Sequence, residues 1–321
     1  MNFAVPDSPM GMSPQEVTEK TREESALLAR AQAGDERAFR ELVEPHRKAI
    51  ELHCYRMLGS LQDAEDVTQE TLLRAWRRLD SFRGTASIHT WLYRIATNAC
   101  LDEIERRPRR AEPAVDPYPD HALDELDPAA RYEAREGMAL AFLTAIQRLP
   151  GRQRAVLILR DVLGWTGAEV AELLDSTVAS VNSALQRARV TIEREAPARA
   201  VRPQPGAHQE LLRRYVEAWD RNDIDSLTEL LHEDALLSMP PQPSVVGAGA
   251  IIEFFRGVQR KYGEFSARAL PVNGQPAVAI SIVSPAKADE PHRLLVLDCD
   301  GERVSAMHAY SNPELLDKLG V

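Results

Sequence analysis

Residues 166–187 read TGAEVAELLDSTVASVNSALQR, and the spacing of apolar residues in that stretch decides the architecture of the middle of the chain. Val170, Ala171, Leu173 and Leu174 share the inner side of a short helix over residues 166–174. Asp175, Ser176 and Thr177 follow as a turn rich in capping side chains. A second helix then carries Val178, Val181, Leu185 and Ala188 as its buried stripe. Two short helices joined by a tight turn form a helix-turn-helix, whose second helix fits the major groove of B-DNA. Ala179, Ser180, Asn182, Ser183, Gln186 and Arg187 are then the outward residues: the polar ones pair with base edges, and Arg187 reaches guanine or phosphate. An ordinary helical hairpin with a solvated polar face has the same pattern, so this stretch alone supports only a generic DNA binder.

Upstream, helical spacing is nearly continuous over residues 23–107, with Leu27, Leu28, Ala31, Ala38, Phe39, Leu42 and Val43 recurring three and four apart. Residues 63–76 place Ala64, Val67, Thr71 and Ala75 on a core stripe with Thr68, Leu72 and Trp76 beside it. Asp63, Asp66 and Glu70 then share an acidic exposed face. A further helix, from Ile88 to about Glu105, buries Ile88, Trp91, Leu92, Ile95 and Ala99 and turns Arg94, Thr97 and Asn98 toward solvent. Residues 1–22, with Pro6, Pro9 and Pro14 and no sustained apolar period, are expected to be a disordered leader, the first helix starting near Glu23. Pro108, Pro113, Pro117, Pro119 and Pro128 among acidic residues mark 108–129 as a linker. Helical periodicity resumes over 130–196, and Pro197, Pro203 and Pro205 mark 197–206 as a second linker.

Residues 207–321 change character. A helix bearing Leu211, Leu212, Tyr215, Val216 and Trp219 precedes β-prone runs at 278–283, 294–297 and 304–309, with Asp300-Gly301 as a hairpin signal between the last two. The fold class is therefore multidomain: two all-α helical domains, the second holding the helix-turn-helix, followed by an α+β domain.

The chain has 321 residues and a formal charge of −10, from 39 Lys+Arg against 49 Asp+Glu. That is the wrong sign for a protein that coats nucleic acid nonspecifically, so any DNA contact must be local or assisted by a partner. The three cysteines, Cys54, Cys100 and Cys299, form no CxxC pair and indicate neither a disulfide framework nor a metal site. No signal peptide and no run of roughly 18 apolar residues is present, so a cytoplasmic location with no membrane partner is expected.

The words at residues 61–76 (LQDAEDVTQETLLRAW), 90–98 (TWLYRIATN) and 149–154 (LPGRQR) together resemble the sigma-70 superfamily, extracytoplasmic-function group, over about residues 23–195. The resemblance implies that Asp63, Asp66, Gln69 and Glu70 dock on a basic coiled coil of core RNA polymerase, where complementary charge speeds encounter and sets orientation. It further implies that the loop carrying Phe82 and Arg83, and the helix bearing Arg94, Asn98 and Asp102, capture the upstream edge of a melted promoter element. A flipped base is held there if a pocket replaces its lost stacking. Arg106 and Arg107, with Arg109 and Arg110, suit phosphate contacts. A sigma factor is no enzyme and needs no cofactor. Family members often carry basic residues in the recognition helix, where this chain has Asn182 and Ala184, which implies weaker phosphate anchoring or a different promoter sequence.

From about His208 the chain resembles the SnoaL-like branch of the NTF2-like superfamily, a cone of curved sheet and packed helices. The residues that carry the resemblance are 215–219 (YVEAW) and 230–235 (LLHEDA). Some members use Asp and His in the cone for catalysis or bind a small ligand there; the candidates here are His232, Asp234, Asp298 and His308. Capping and turn roles explain these positions as well. In sigma factors with such an extension it is thought to modulate the sigma domains. The word Asn312-Pro313-Glu314-Leu315 is a partial form of a tail motif of such subgroups, making Asn312, Pro313 and Leu315 candidate regulatory contacts. Their glycine-rich Asp-Gly-Gly-Gly-Arg word has no counterpart at Ser238-Met239-Pro240-Pro241. A ligand-sensing helix-turn-helix regulator and an enzyme with accessory helices are the alternatives; neither has a use for the acidic word at 63–76.

Overall fold

The first helix of the computed structural model, α1 (Pro14–Gln32), starts ahead of the expected Glu23 and takes up the end of the expected leader; residues 1–13 lie outside the described residues. Described are residues 14–84, 86–106, 115–123, 137–195, 208–240, 242–283 and 291–320. None of their helices is long and apolar enough to cross a membrane.

The chain divides into two compact units, Met1–Val115 with Phe142–Ala196, and Asp116–Ala141 with Pro197–Val321. In the first, α2 (Glu36–Leu58) opens on the Asp35 carboxylate, which accepts from the amides of Arg37 and Ala38 at 3.0 Å each. It closes on Gly59 at φ 73°, a conformation that costs glycine nothing. α3 (Leu61–Arg78) buries Ala64, Val67, Thr68, Thr71 and Ala75, and the two threonine hydroxyls donate to carbonyls one turn back, at 2.6 and 2.7 Å. α4 (Ile88–Arg106) packs Ile88, Leu92, Ile95, Ala96 and Ala99 against α2 and α3. Thr97, expected toward solvent, is fully buried instead: its hydroxyl meets His53 Nε2 at 2.9 Å, a polar partner that lets it sit in the core.

α5 (Leu140–Gln147), α6 (Gly151–Leu157), a π turn at Ile158–Val162, α7 (Gly167–Leu173) and α8 (Val178–Glu195) continue the helical part. The two expected helical domains share one unit because α6 and α7 pack on α4. The buried Arg154 guanidinium is the fastener. It donates to the carbonyls of Ile146, Gln147 and Leu149, to the Gln147 side chain, and to the Met57 carbonyl at the end of α2.

In the second unit α9 (Gln209–Asp220), α10 (Leu227–Leu230) and α11 (Ala248–Tyr262) accompany β1 (Leu231–Met239), β2 (Gln242–Val246), β3 (Phe265–Ala269), β4 (Ala277–Ile282), β5 (Pro291–Asp300) and β6 (Arg303–Tyr310). The six strands run in the order β2-β1-β6-β5-β4-β3, with only β1 and β6 parallel. Val278, Ile280, Leu295 and Leu297 face a core shared with Tyr215, Trp219 and Phe255 of the helices. Ala277, Ala279, Leu294 and Val296, on the opposite face, are buried as well, which is why these strands read as continuous apolar runs. The hairpin at Gly301, φ 63°, joins β5 to β6 as expected.

The expected acidic linker is in part structured. Residues 115–123 lie among the described residues, and Tyr118 and Leu123 are each only 1% exposed. Pro119 bridges Val272, the Asp120 amide donates to the Pro271 carbonyl at 3.3 Å, and the Asp120 carboxylate accepts from the Gly274 amide at 2.9 Å. Buried aromatic and aliphatic side chains and hydrogen bonds to the backbone of Tyr118 and Asp120 outweigh what the prolines suggested. The linker at 197–206 lies outside the described residues.

Candidate polymerase and promoter surfaces

On α3, Asp66, Gln69 and Glu70 are exposed and Asp63 half-buried, all clear of the core stripe. A groove of about 200 Å³ runs along Asp63, Asp66 and Glu70 toward Glu103 of α4. Glu70 pairs with Arg74 at 2.8 Å, and Arg74 also holds Asp102 at 2.9 Å. The Asp102 hydrogen bond, more than any other contact, raises the Arg74 guanidinium further above its ordinary value. Asp102 is thus tied to α3 from the start.

Behind that face lies a hollow of about 340 Å³ lined by Arg74, Arg78, Trp91, Arg94 and Asn98. Of these, Arg94 is half-buried and Asn98 exposed. Arg74 and Arg78 were missed; their signal was the i, i+4 spacing of two arginines that follow Glu70, which places them beside α4. Phe82 is not at a strand-facing surface: it is 9% exposed and its ring stacks on Trp91 with centroids 5.0 Å apart, so it supports the loop, while Arg83 beside it is exposed. Arg106 is exposed and loosely paired with Glu103 at 3.5 Å; Arg107, Arg109 and Arg110 lie outside the described residues. Asp175 lines the same hollow and pairs with Arg94, so three arginines and an indole wall suit a phosphate and a stacked base once that carboxylate is displaced.

The helix-turn-helix forms as read. Thr166 caps α7 in a reciprocal box with Glu169, whose carboxyl is held below its usual range chiefly by that hydrogen bond. Asp175 takes the left-handed turn at φ 48°, and Thr177 Oγ1 accepts from the Ser180 amide at 3.2 Å to open α8. Val181, Leu185 and Ala188 are buried; Val178, expected with them, is 45% exposed because the stripe starts only one turn into α8. Ala179, Ser180, Asn182, Ser183, Gln186 and Arg187 are all exposed. The candidate strand-binding hollow and the helix-turn-helix meet within this unit: Arg94 Nη2 lies 2.6 Å from Asp175 Oδ1. Nearby, Trp165 packs on Tyr93 and His89. Burial pushes the His89 ring down to about 4 and His53 to about 3, so both are neutral at pH 7.

In the second unit His232 contacts Asp234 on β1. Asp298 and His308 come together on neighbouring strands, 3.1 Å apart, and Gln275 Nε2 donates to the second Asp298 oxygen at 2.8 Å. Gln275 Oε1 meanwhile accepts from the Leu140 amide at 3.0 Å. Asn273 accepts from the Tyr118 amide at 2.6 Å and donates to the Met138 carbonyl at 2.8 Å. Both ends of the interdomain segment are therefore pinned by one turn of the sheet, a contact that no local pattern in the sequence announces. Asn312 caps α12 (Pro313–Lys318) at 3.0 Å from the Glu314 amide, and Leu315 is buried where α12 packs on β5.

Family models described as Sigma-70 region 2, Sigma-70 region 4 and SnoaL-like domain match residues 42–110, 139–192 and 212–299. The ECF RNA polymerase sigma factor SigG of Mycobacterium tuberculosis is 41% identical over 310 residues, covering 88% of this chain and 84% of that protein. RNA polymerase sigma-H factor of Pseudomonas aeruginosa is 34% identical over 54% of this chain and 93% of its own. The crystal structure of the M. tuberculosis extracytoplasmic function sigma factor SigJ superposes with a TM-score of 0.62 at 25% identity, covering 86% of this chain and 97% of that one.

Proposed function

The chain belongs to the ECF RNA polymerase sigma factors, and we propose that it is one whose promoter-facing surfaces engage each other until its C-terminal unit lets go of the interdomain segment. As a sigma factor it binds core RNA polymerase, recognises promoter DNA and starts transcription. Asp63, Asp66, Gln69 and Glu70 make the polymerase-facing surface. Arg83, Arg94, Asn98 and Arg106, with Arg74 and Arg78 of the same hollow, hold the melted strand. Ala179, Ser180, Asn182, Ser183, Gln186 and Arg187 read duplex DNA.

The observation that carries the closed reading is the ion pair of Arg94 with Asp175, a promoter-strand residue spent on the turn of the helix-turn-helix. To sit on separate promoter elements the two helical regions must part. The roughly 20 steps from Tyr118 to Met138 could reach about 70 Å fully extended. Asn273 instead holds both residues within hydrogen-bonding distance of one side chain. The SnoaL-like unit thus acts as a clasp on the tether, with Asp298, His308 and Gln275 serving that clasp rather than a reaction. Run-off transcription with core polymerase tests this on the full chain: Asn273→Gly with Gln275→Ala is expected to raise promoter output several-fold. Output equal to the unaltered chain overturns the clasp.

A further inference from the structure

Val178 leaves the core and becomes an apolar side chain at the start of the recognition helix, 45% exposed. Asn182 lies one turn on and is exposed too. Their side chains flank one point: a methyl group placed on Gly167 would lie 3.4 Å from Val178 Cγ1 and 3.6 Å from Asn182 Oδ1. Among the described residues the Asn182 amide has no hydrogen-bond partner, whereas the Ser183 hydroxyl is spent on the Ala179 carbonyl at 2.9 Å. Residues 178–186 contain no Lys or Arg; Arg187 is the first basic residue of α8.

These are the chemistries of an A·T reader. Guanine is read by the paired donors of Arg or Lys, adenine by the donor and acceptor of an Asn or Gln amide, and the thymine methyl by an apolar side chain. A helix-turn-helix reads bases with the N-terminal residues of its second helix. The i, i+4 spacing covers about 6 Å along the helix, which brings the two side chains to base pairs within about two steps of each other.

We propose that Val178 and Asn182 set the sequence specificity of the upstream promoter element by reading neighbouring A·T pairs in the major groove. Asn182 Nδ2 donates to adenine N7 and its Oδ1 accepts from the adenine N6 amine, while the Val178 methyls cover the C5 methyl of a nearby thymine. Arg187 anchors the helix on phosphate. The inference rests on the role given to α8 above and adds the bases it selects.

The test uses holoenzyme assembled from core polymerase and the full chain. Promoters selected from a randomised duplex pool are expected to hold an A·T pair in the upstream element, and Asn182→Ala is expected to relax that choice by about tenfold. Replacing the matched thymine with deoxyuridine removes only its methyl, and is expected to weaken binding by the unaltered protein about fourfold and by Val178→Ala not at all. Both side chains are exposed, so the variants keep their fold, which circular dichroism checks. A selected element with only G·C pairs there, or equal uracil sensitivity in Val178→Ala, overturns the inference. In either case, if Arg187→Ala still weakens binding to all sequences alike, the role of α8 stands and only the A·T reading falls. If Arg187→Ala and Asn182→Ala both leave affinity and selected sequence unchanged, α8 is not the reading helix and both fall.

Discussion

Replacing Asn273 by alanine should cost the second unit about 4 kcal/mol, and the figure can be built from its parts. Asn273 is 3% exposed. Its side chain supplies the acceptor for the Tyr118 amide at 2.6 Å and the donor for the Met138 carbonyl at 2.8 Å. Alanine leaves both groups short of a partner, at about 1–3 kcal/mol each, and water reaching the loosened segment brings the pair to about 3 kcal/mol. The backbone at 273 also sits at φ 54°, where a β-carbon other than that of asparagine or aspartate costs about 1 kcal/mol. Asn273→Gly removes the same two bonds without the backbone strain, so it should cost about 3 kcal/mol. Because the chain holds two units, a global unfolding curve is the wrong readout. Amide hydrogen exchange at residues 115–123 and at Leu140, followed by mass spectrometry, reports the clasp directly. Exchange should quicken by more than a hundredfold there and stay unchanged in α2 and α3. Protection at Tyr118 within tenfold of the unaltered chain would refute the clasp, and a glycine variant less protected than the alanine one would refute the left-handed backbone at 273.

Asp66→Arg should weaken assembly with core polymerase by tenfold or more at low salt and by less at high salt, since an exposed charge acts through a screened field; a salt-independent loss in a titration of core enzyme would sink the docking assignment. Stability of the helical unit should fall as pH drops below 6.5, where the unfolded chain protonates both rings but the folded chain resists until about 4 at His89 and about 3 at His53. By pH 4.5 this amounts to about 2–3 kcal/mol per ring, and urea titrations followed by amide exchange in α2 and α4 should show His89→Phe flattening the slope; an unchanged slope contradicts the burial of that ring. Gly59→Ala places a methyl 3.0 Å from Gln147 Cδ at φ 73° and should cost about 1–2 kcal/mol, read as faster amide exchange in α2 with the same helix content; unchanged exchange would mean that α2 ends otherwise.

Most of the local structure was legible without coordinates. The stripe of Ala64, Val67, Thr71 and Ala75, the capped turn at Asp175 to Thr177 and the hairpin at Gly301 each follow from apolar spacing or turn chemistry within one element. So does the exposed acidic word of α3, because a helix buries one stripe and its other faces are left for solvent or a partner. The errors share a cause. Thr97 was placed outside and Val178 inside by periodicity, which gives a direction around a helix and not what stands opposite; His53 awaits Thr97, and opposite Val178 stands Gly167, whose lack of a side chain leaves the valine 45% exposed. Composition made residues 115–123 a plain linker, since prolines and acids describe a chain's own preferences and not the sheet turn that Asn273 and Gln275 present to it. The sequence by itself thus determined the helices of residues 61–106 and 166–188, the helix opening the C-terminal unit and the strands on either side of Gly301, because those rest on neighbours a few residues apart. The pairing of Arg94 with Asp175, of Asp298 with His308, and of Tyr118 and Met138 with Asn273 was decided only by the tertiary structure. Between Tyr118 and Asn273 the separation is 155 residues, and at such distances no local periodicity carries information about contact.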